Sequence, residues 1–140
     1  MSPDRVIVEA DGGSRGNPGP AGFGAVVRDA DTRDVLAERN GYLGVTTNNV
    51  AEYNGLIAGL EAAAQLGARE VQAWLDSKLV VEQMSGRWKI SNSALQALAL
   101  QAQRLRPQFD SVTFHWMPRE RNKAADRLAN EAMDHQASTT

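Results

Sequence analysis

From Arg5 to Asp11 apolar and polar residues alternate with a high content of β-branched side chains, the two-residue period of a half-buried strand. Gly22–Arg28 and Asp34–Leu43 follow with the same character, separated by a polar turn around Asp29–Arg33, so the first third of the chain reads as an antiparallel three-stranded meander. The period then changes. Tyr53, Leu56, Ile57, Leu60 and Ala64 recur at helical spacing, with Asn48 or Asn49 as the N-cap and Gly67 as the stop. Glu70–Leu75 is again strand-like and leads into a short helix, Ser77–Ser85. A linker with Gly86, Arg87 and Trp88 precedes a helix over Ser93–Leu105, which Pro107 terminates. Ser111–Trp116 is a last strand and Asn122–Met133 a last helix, and the tail 135–140 is expected to be flexible. The order βββαβααβα implies an α/β fold, a mixed sheet with helices on its faces, as one domain over residues 1–134.

A chain of 140 residues is long enough to bury a core without covalent staples. It has no cysteine, which excludes a disulfide framework and a Cys-based zinc site. Asp4, Arg5 and Glu9 interrupt the first ten residues and no apolar run approaches the ~18 residues of a membrane span, so neither a secretory leader nor a membrane partner is expected, and a cytoplasmic location is. The net charge of −2 argues against nucleic-acid binding through a global basic field. The halves differ, however: residues 1–70 hold 6 basic and 10 acidic side chains, residues 71–140 hold 9 and 7, the basic ones in small groups.

Four acids occupy unusual places: Asp11 at the end of the first strand, Glu52 in the first turn of the long helix, Asp76 at the end of the fourth strand and Asp126 early in the last helix. Each has a local explanation. Asp11-Gly12 is a turn signal, Asn49-Val-Ala-Glu52 fits a capping box, Asp76 can cap the helix after it, and Asp126 suits the positive end of a helix dipole. Jointly they favour a site, because sheets with parallel strands bind ligands beyond the carboxyl ends of those strands, and neighbouring first and fourth strands place Asp11 and Asp76 side by side there. Carboxylates that close repel unless a cation lies between them. With no Cys and only two His, the donor set is oxygen, which suits Mg²⁺ or Mn²⁺. Three or four carboxylates can hold two such ions ~4 Å apart, the arrangement that activates water on one side of a phosphodiester and stabilises the leaving oxygen on the other. Two ions add four positive charges to the formal −2, which weakens the objection from net charge.

The residues around these acids resemble type 1 ribonuclease H along nearly the whole chain, through Asp11-Gly-Gly-Ser-Arg-Gly-Asn-Pro-Gly-Pro-Ala-Gly-Phe-Gly, Thr47-Asn-Asn-Val-Ala-Glu52, Asp76-Ser-Lys-Leu-Val and Pro118-Arg-Glu-Arg-Asn-Lys-Ala-Ala-Asp126-Arg-Leu-Ala. The resemblance is closest to the compact bacterial and archaeal-like branch. It implies a ribonuclease H-like five-stranded sheet of order 3-2-1-4-5, and hydrolysis of the RNA strand of an RNA–DNA hybrid to 5′-phosphate and 3′-hydroxyl ends. Asp11, Glu52, Asp76 and Asp126 would be the catalytic metal ligands, with two Mg²⁺ ions or Mn²⁺ in their place. Asn17, Asn48 and Asn49 would contact the hybrid around its minor groove, where 2′-hydroxyls distinguish RNA. Thr47 matches a residue of a DNA-phosphate pocket, and the glycines after Asp11 would let backbone approach a nucleic-acid strand.

Departures from the family pattern name further candidates. The position of a loop histidine found in many members is Trp116 here, with His115 one residue earlier in a strand and expected to have a structural role. Arg119 is the candidate for steadying the scissile phosphate, although a guanidinium cannot transfer protons as an imidazole does. The basic protrusion of several relatives is reduced to Arg87, Trp88 and Lys89, with Trp88 expected to be partly core or else to stack on a sugar or base. Lys78 is a further auxiliary candidate. Activity extending to double-stranded RNA and a non-catalytic hybrid-binding module remain as alternatives, whereas a phosphate cradle at Gly12–Gly24 is disfavoured by the lack of a Gly-Lys-Ser/Thr ending. A monomer is expected, and the resemblance admits fusion to a further C-terminal domain.

Overall fold

A computed structural model describes residues 3–136. Its elements are β1 (Arg5–Ser14), β2 (Gly19–Asp29), β3 (Val35–Thr46), α1 (Asn48–Gln65), β4 (Glu70–Leu75), α2 (Lys78–Met84), α3 (Ser93–Leu105), β5 (Ser111–Trp116) and α4 (Lys123–Asp134), with short 3₁₀ turns at Arg106–Gln108 and Arg119–Arg121. The sheet order is β3-β2-β1-β4-β5, as the resemblance implies. Strands β1, β2 and β3 are antiparallel, while β4 is parallel to both β1 and β5.

The first strand is longer than its residues announce. It does not end at Asp11, because Gly12, Gly13 and Ser14 go on to pair with Phe23, Gly22 and Ala21 of β2. The parallel ladder between β1 and β4, by contrast, stops at Ala10 opposite Leu75. Asp11 and Asp76 are therefore the first residues beyond that ladder on two adjacent strands, which preserves their expected neighbourhood by a different route.

Strand alternation sends successive residues to opposite faces, and both faces are covered over β1 and β2. Val6, Val8 and Ala10 of β1 with Ala25 and Val27 of β2 pack under Tyr53, Leu56 and Leu60 of α1, and this core extends through Val71, Ala73 and Leu75 of β4 to α2 and α3. On the other face α4 lies so close to β2 that a Cβ on Gly24 would fall 2.3 Å from the Ala125 carbonyl oxygen. Gly12 does the same work toward α1: a Cβ there would stand 2.2 Å from the Ala51 carbonyl. Helix packing is thus reason enough for a glycine at position 12.

Helix α1 is capped by Thr47, whose hydroxyl accepts from the Val50 N–H at 3.3 Å, rather than by Asn48 or Asn49. Glu52 consequently sits one turn into the helix and has no part in a capping box. Likewise Ser77, not Asp76, caps α2, accepting from the Val80 N–H. Both acids are released from the local explanations that sequence allows them. Of the expected flexible tail, His135 and Gln136 form a turn after α4, and 137–140 lie outside the described residues.

Candidate active site

Asp11, Glu52 and Asp76 converge, with one carboxylate oxygen from each lying within 4.8 Å of the others. Asp11 and Asp76 arrive at the end of the parallel ladder, and the Gly12 contact brings α1 against β1 so that Glu52, the residue after Ala51, faces them. Asp126 comes from the first turn of α4; it lies outside this group of three yet hydrogen-bonds the Asp11 carboxyl and stands 3.7 Å from the Arg119 guanidinium. All four acids line one open cleft of about 560 Å³, together with Ser14, Asn48, Arg119 and Asn130.

The cluster resists ionisation. Asp11 is 7% exposed, and burial first, then the Asp76 charge and the hydrogen bond with Asp126, push its pKa from 3.8 up to about 8. Glu52 rises from 4.5 to about 9 for the same leading reason, burial, reinforced by Asp11 and Asp76 and opposed only by Arg119. Asp76 is raised too, chiefly by burial, while a hydrogen bond from Asn122 and the charge of Arg119 pull it down. The Glu52 Oε2 atom is sealed from solvent with no hydrogen-bond partner.

Such a site fits a divalent cation. Buried polar atoms are ordinarily partnered, and a carboxylate oxygen left without a donor among other carboxylates offers a position for a hard cation that prefers oxygen. Arg119 is the cation that acts on Glu52 and Asp76, but its side chain is largely exposed at the rim and cannot neutralise three acids. Asp11, Glu52 and Asp76 are the residues that would hold the ion, with Asp126 at the edge.

The remaining predicted residues divide. Asn48 lines the cleft, but its side-chain oxygen is committed to Ser14, accepting from the backbone N–H at 2.8 Å and from the hydroxyl at 3.0 Å. Asn17 in the β1–β2 loop accepts from the Asn48 backbone N–H at 3.1 Å, tying that loop to the start of α1. Asn49 and Thr47 are exposed beside them. Lys78 is exposed on α2, where its charge acts on Glu82, and is not part of the cleft wall. Trp88 is 46% exposed and also outside the cleft, so its expected place in the core is corrected: the 3.2 Å bond from its N–H to the Glu82 carbonyl holds the backbone while the ring stays out. His115 has the structural role expected of it, stacked on Trp74 at 4.7 Å and 2.8 Å from the Thr113 hydroxyl.

Two residues beside the site carry contacts to Asp76 that the sequence does not announce. Asn122 is fully buried, and its amide donates to the Ala10 carbonyl at 2.8 Å while the side chain helps to hold the pKa of Asp76 down. Trp116 donates its indole N–H to the Asp76 carbonyl at 3.1 Å. A polar residue one turn before Asp126 was the only signal for the first; the second carries none, since it depends on strand register.

The family described as reverse transcriptase-like matches residues 9–132. The chain is 60% identical over 135 residues to the bifunctional protein Rv2228c of Mycobacterium tuberculosis, covering 96% of this chain and 37% of that one. It thus spans little more than a third of that relative's length. It is 42% identical over 137 residues to ribonuclease HI of Halobacterium salinarum, covering 96% of this chain and 68% of the other. Among solved structures, LC11-RNase H1 in complex with RNA/DNA hybrid superimposes with a TM-score of 0.88 at 39% identity, over 94% of this chain and 99% of that one. With its strand order, its carboxylates at the end of the parallel ladder and these relatives, the chain belongs to the type 1 ribonuclease H family.

Proposed function

We propose that this domain is a metal-dependent endoribonuclease that hydrolyses the RNA strand of an RNA–DNA hybrid, leaving 5′-phosphate and 3′-hydroxyl ends. The observation that carries the reading is the convergence of three carboxylates within 4.8 Å, one of them with a buried, unpartnered oxygen. Asp11, Glu52 and Asp76, with Asp126 at the rim, would hold two Mg²⁺ ions, for which Mn²⁺ can substitute. Bound there, the ions supply an activated water nucleophile and neutralise charge on the leaving oxygen.

The chain's own groups do the rest. Arg119, largely exposed at the cleft edge, is placed to steady a phosphate, and its distance of 3.7 Å from Asp126 leaves the pair loose enough to exchange partners. Asn48 spends its side-chain oxygen on Ser14, so what it offers a 2′-hydroxyl is its N–H₂ group. The Asn17 bond to Asn48 keeps the β1–β2 loop beside the same surface. The proximity of Glu52 to both other ligands lets one carboxylate serve metal binding and a substrate hydroxyl.

The test is cleavage of one end-labelled sequence presented as RNA–DNA hybrid, double-stranded RNA, single-stranded RNA and duplex DNA. Metal-dependent cutting of the hybrid's RNA strand is expected, and any cutting of duplex RNA defines the breadth of the substrate range. A hybrid that is bound but left intact under Mg²⁺ and Mn²⁺ makes the domain a binding module instead.

A further inference from the structure

We infer that Trp116 and Asn122 are positioning residues that together hold Asp76 in its place among the carboxylates, one through the main chain and the other through the side chain. The inference rests on the metal-dependent reading above. Neither residue belongs to the group of three acids.

Asp76 needs such support because of where it stands. It follows the last paired residue of β4 and precedes Ser77, the N-cap of α2, so it lies in a junction of one residue between ladder and helix. The ladder to β5 ends at Leu75 opposite Trp116, and the Met117 N–H closes it by donating to the Leu75 carbonyl at 2.9 Å. One residue further on, the Asp76 carbonyl receives the Trp116 indole at 3.1 Å. The side chain thus extends the sheet's hydrogen bonding by one step, to the residue whose carboxylate enters the cleft. The ring is 48% exposed, so it is not there to fill the core.

Asn122 acts from the other side and has no exposed surface. Its amide donates to the carbonyl of Ala10, the neighbour of Asp11, at 2.8 Å, and the same side chain lies beside the Asp76 carboxylate, whose pKa it pulls down. Its own carbonyl accepts the Asp126 N–H at 3.1 Å, which starts α4 at that point. One buried residue therefore links the backbone at Asp11, the carboxylate of Asp76 and the helix bearing Asp126. Its Oδ1 has no partner, so the orientation of the amide is set by its donors alone.

The experiment is a calorimetric titration of Mn²⁺ into the wild type, Trp116→Phe, Asn122→Ala, the double variant and Trp74→Phe, followed by hybrid cleavage for kcat and KM. Trp74→Phe controls for the loss of an indole on the same two strands, away from the cleft. Trp116→Phe keeps a ring and removes only the donor; losing one net hydrogen bond predicts Mn²⁺ affinity weaker by roughly three- to tenfold. A lowered kcat with KM for the hybrid unchanged is expected alongside, since the residue acts on the metal ligand and not on the substrate. Asn122→Ala is expected to weaken Mn²⁺ binding further, and the double variant by less than the product of the singles, because both act through Asp76. Equal Mn²⁺ affinity in wild type and Trp116→Phe overturns the inference, and Trp116→Phe keeps it testable if Asn122→Ala fails to fold. Failure of the metal-dependent reading looks different: the wild type itself then shows no saturable Mn²⁺ binding.

Discussion

Without a divalent cation, this protein is expected to lose stability as pH rises through the neutral range, and Asp11→Asn is expected to relieve part of that loss. Asp11 has its pKa raised from 3.8 to about 8 and Glu52 from 4.5 to about 9, both chiefly by burial. An acid whose folded pKa is raised binds more protons folded than unfolded, so its contribution is fully present below the unfolded pKa and disappears as pH climbs through the folded one. Each group costs about 1.4 kcal/mol per pH unit in that window. Between pH 5.5 and 7.5 the two together reach about 5 kcal/mol if both keep their protons throughout, an upper bound that water entering the open cleft reduces. Asn at position 11 removes one titrating group and one of the charges acting on Glu52, so the variant should lose about half as much as the wild type. The assay is urea unfolding in chelator at pH 5.5, 6.5, 7.5 and 8.5, followed by circular dichroism. Millimolar Mg²⁺ should restore wild-type stability increasingly toward high pH, by mass action on the ionised form, and should do so weakly in the variant. A wild-type stability that is flat or rising with pH in chelator refutes the reasoning, as does an Asp11→Asn protein no more stable than wild type at pH 8.5.

Glu52→Gln keeps the shape of the side chain and removes the charge, so hybrid cleavage should fall by at least ~10²-fold while metal-free stability at pH 8 rises; kinetics and melting in chelator check both. Gly12→Ala drives a methyl group into the Ala51 carbonyl, backbone against backbone, and should cost about 3 kcal/mol or more by urea denaturation. Tyr53→Phe leaves the buried Gln83 side-chain oxygen without the 2.7 Å hydrogen bond it accepts from the Tyr53 hydroxyl, a loss of about 1–3 kcal/mol measurable by the same method. Arg119→Ala removes the charge that lowers the pKa of Glu52 and Asp76, so the acid limb of the pH–rate profile should move to higher pH, as initial rates between pH 5 and 9 will register.

The parts of this architecture legible in sequence are those governed by near neighbours. The two-residue period of Arg5–Asp11, the helical recurrence from Tyr53 to Ala64 and the four acids at element boundaries could be placed because each depends on residues within a turn or a strand length. What escaped depends on contacts between distant segments. Glycine-rich residues after Asp11 look like a loop, yet they pair with β2, and Gly12 and Gly24 are where α1 and α4 come close to the sheet. Asn48 looks like a cap or a substrate contact, and its role as the acceptor for Ser14, 34 residues earlier, is a matter of tertiary proximity. Trp88 is an aromatic of the kind that fills cores but lies past the end of α2, beyond Gly86 at φ +79°, and stays about half exposed. Trp116 and Asn122 could not be assigned to Asp76 because only the register of β5 against β4 and the approach of α4 bring them there.

The central claim is that the buried carboxylates form a working metal site for cutting RNA paired with DNA. Its most direct test is the rate of hybrid cleavage by the wild type and by Asp76→Asn as a function of Mg²⁺ concentration, with chelator as the zero point. The account predicts a wild-type rate that rises from nothing and saturates with Mg²⁺, cuts confined to the RNA strand, and no cleavage by Asp76→Asn at any concentration. Cleavage that persists in chelator, or that survives Asp76→Asn unchanged, contradicts it.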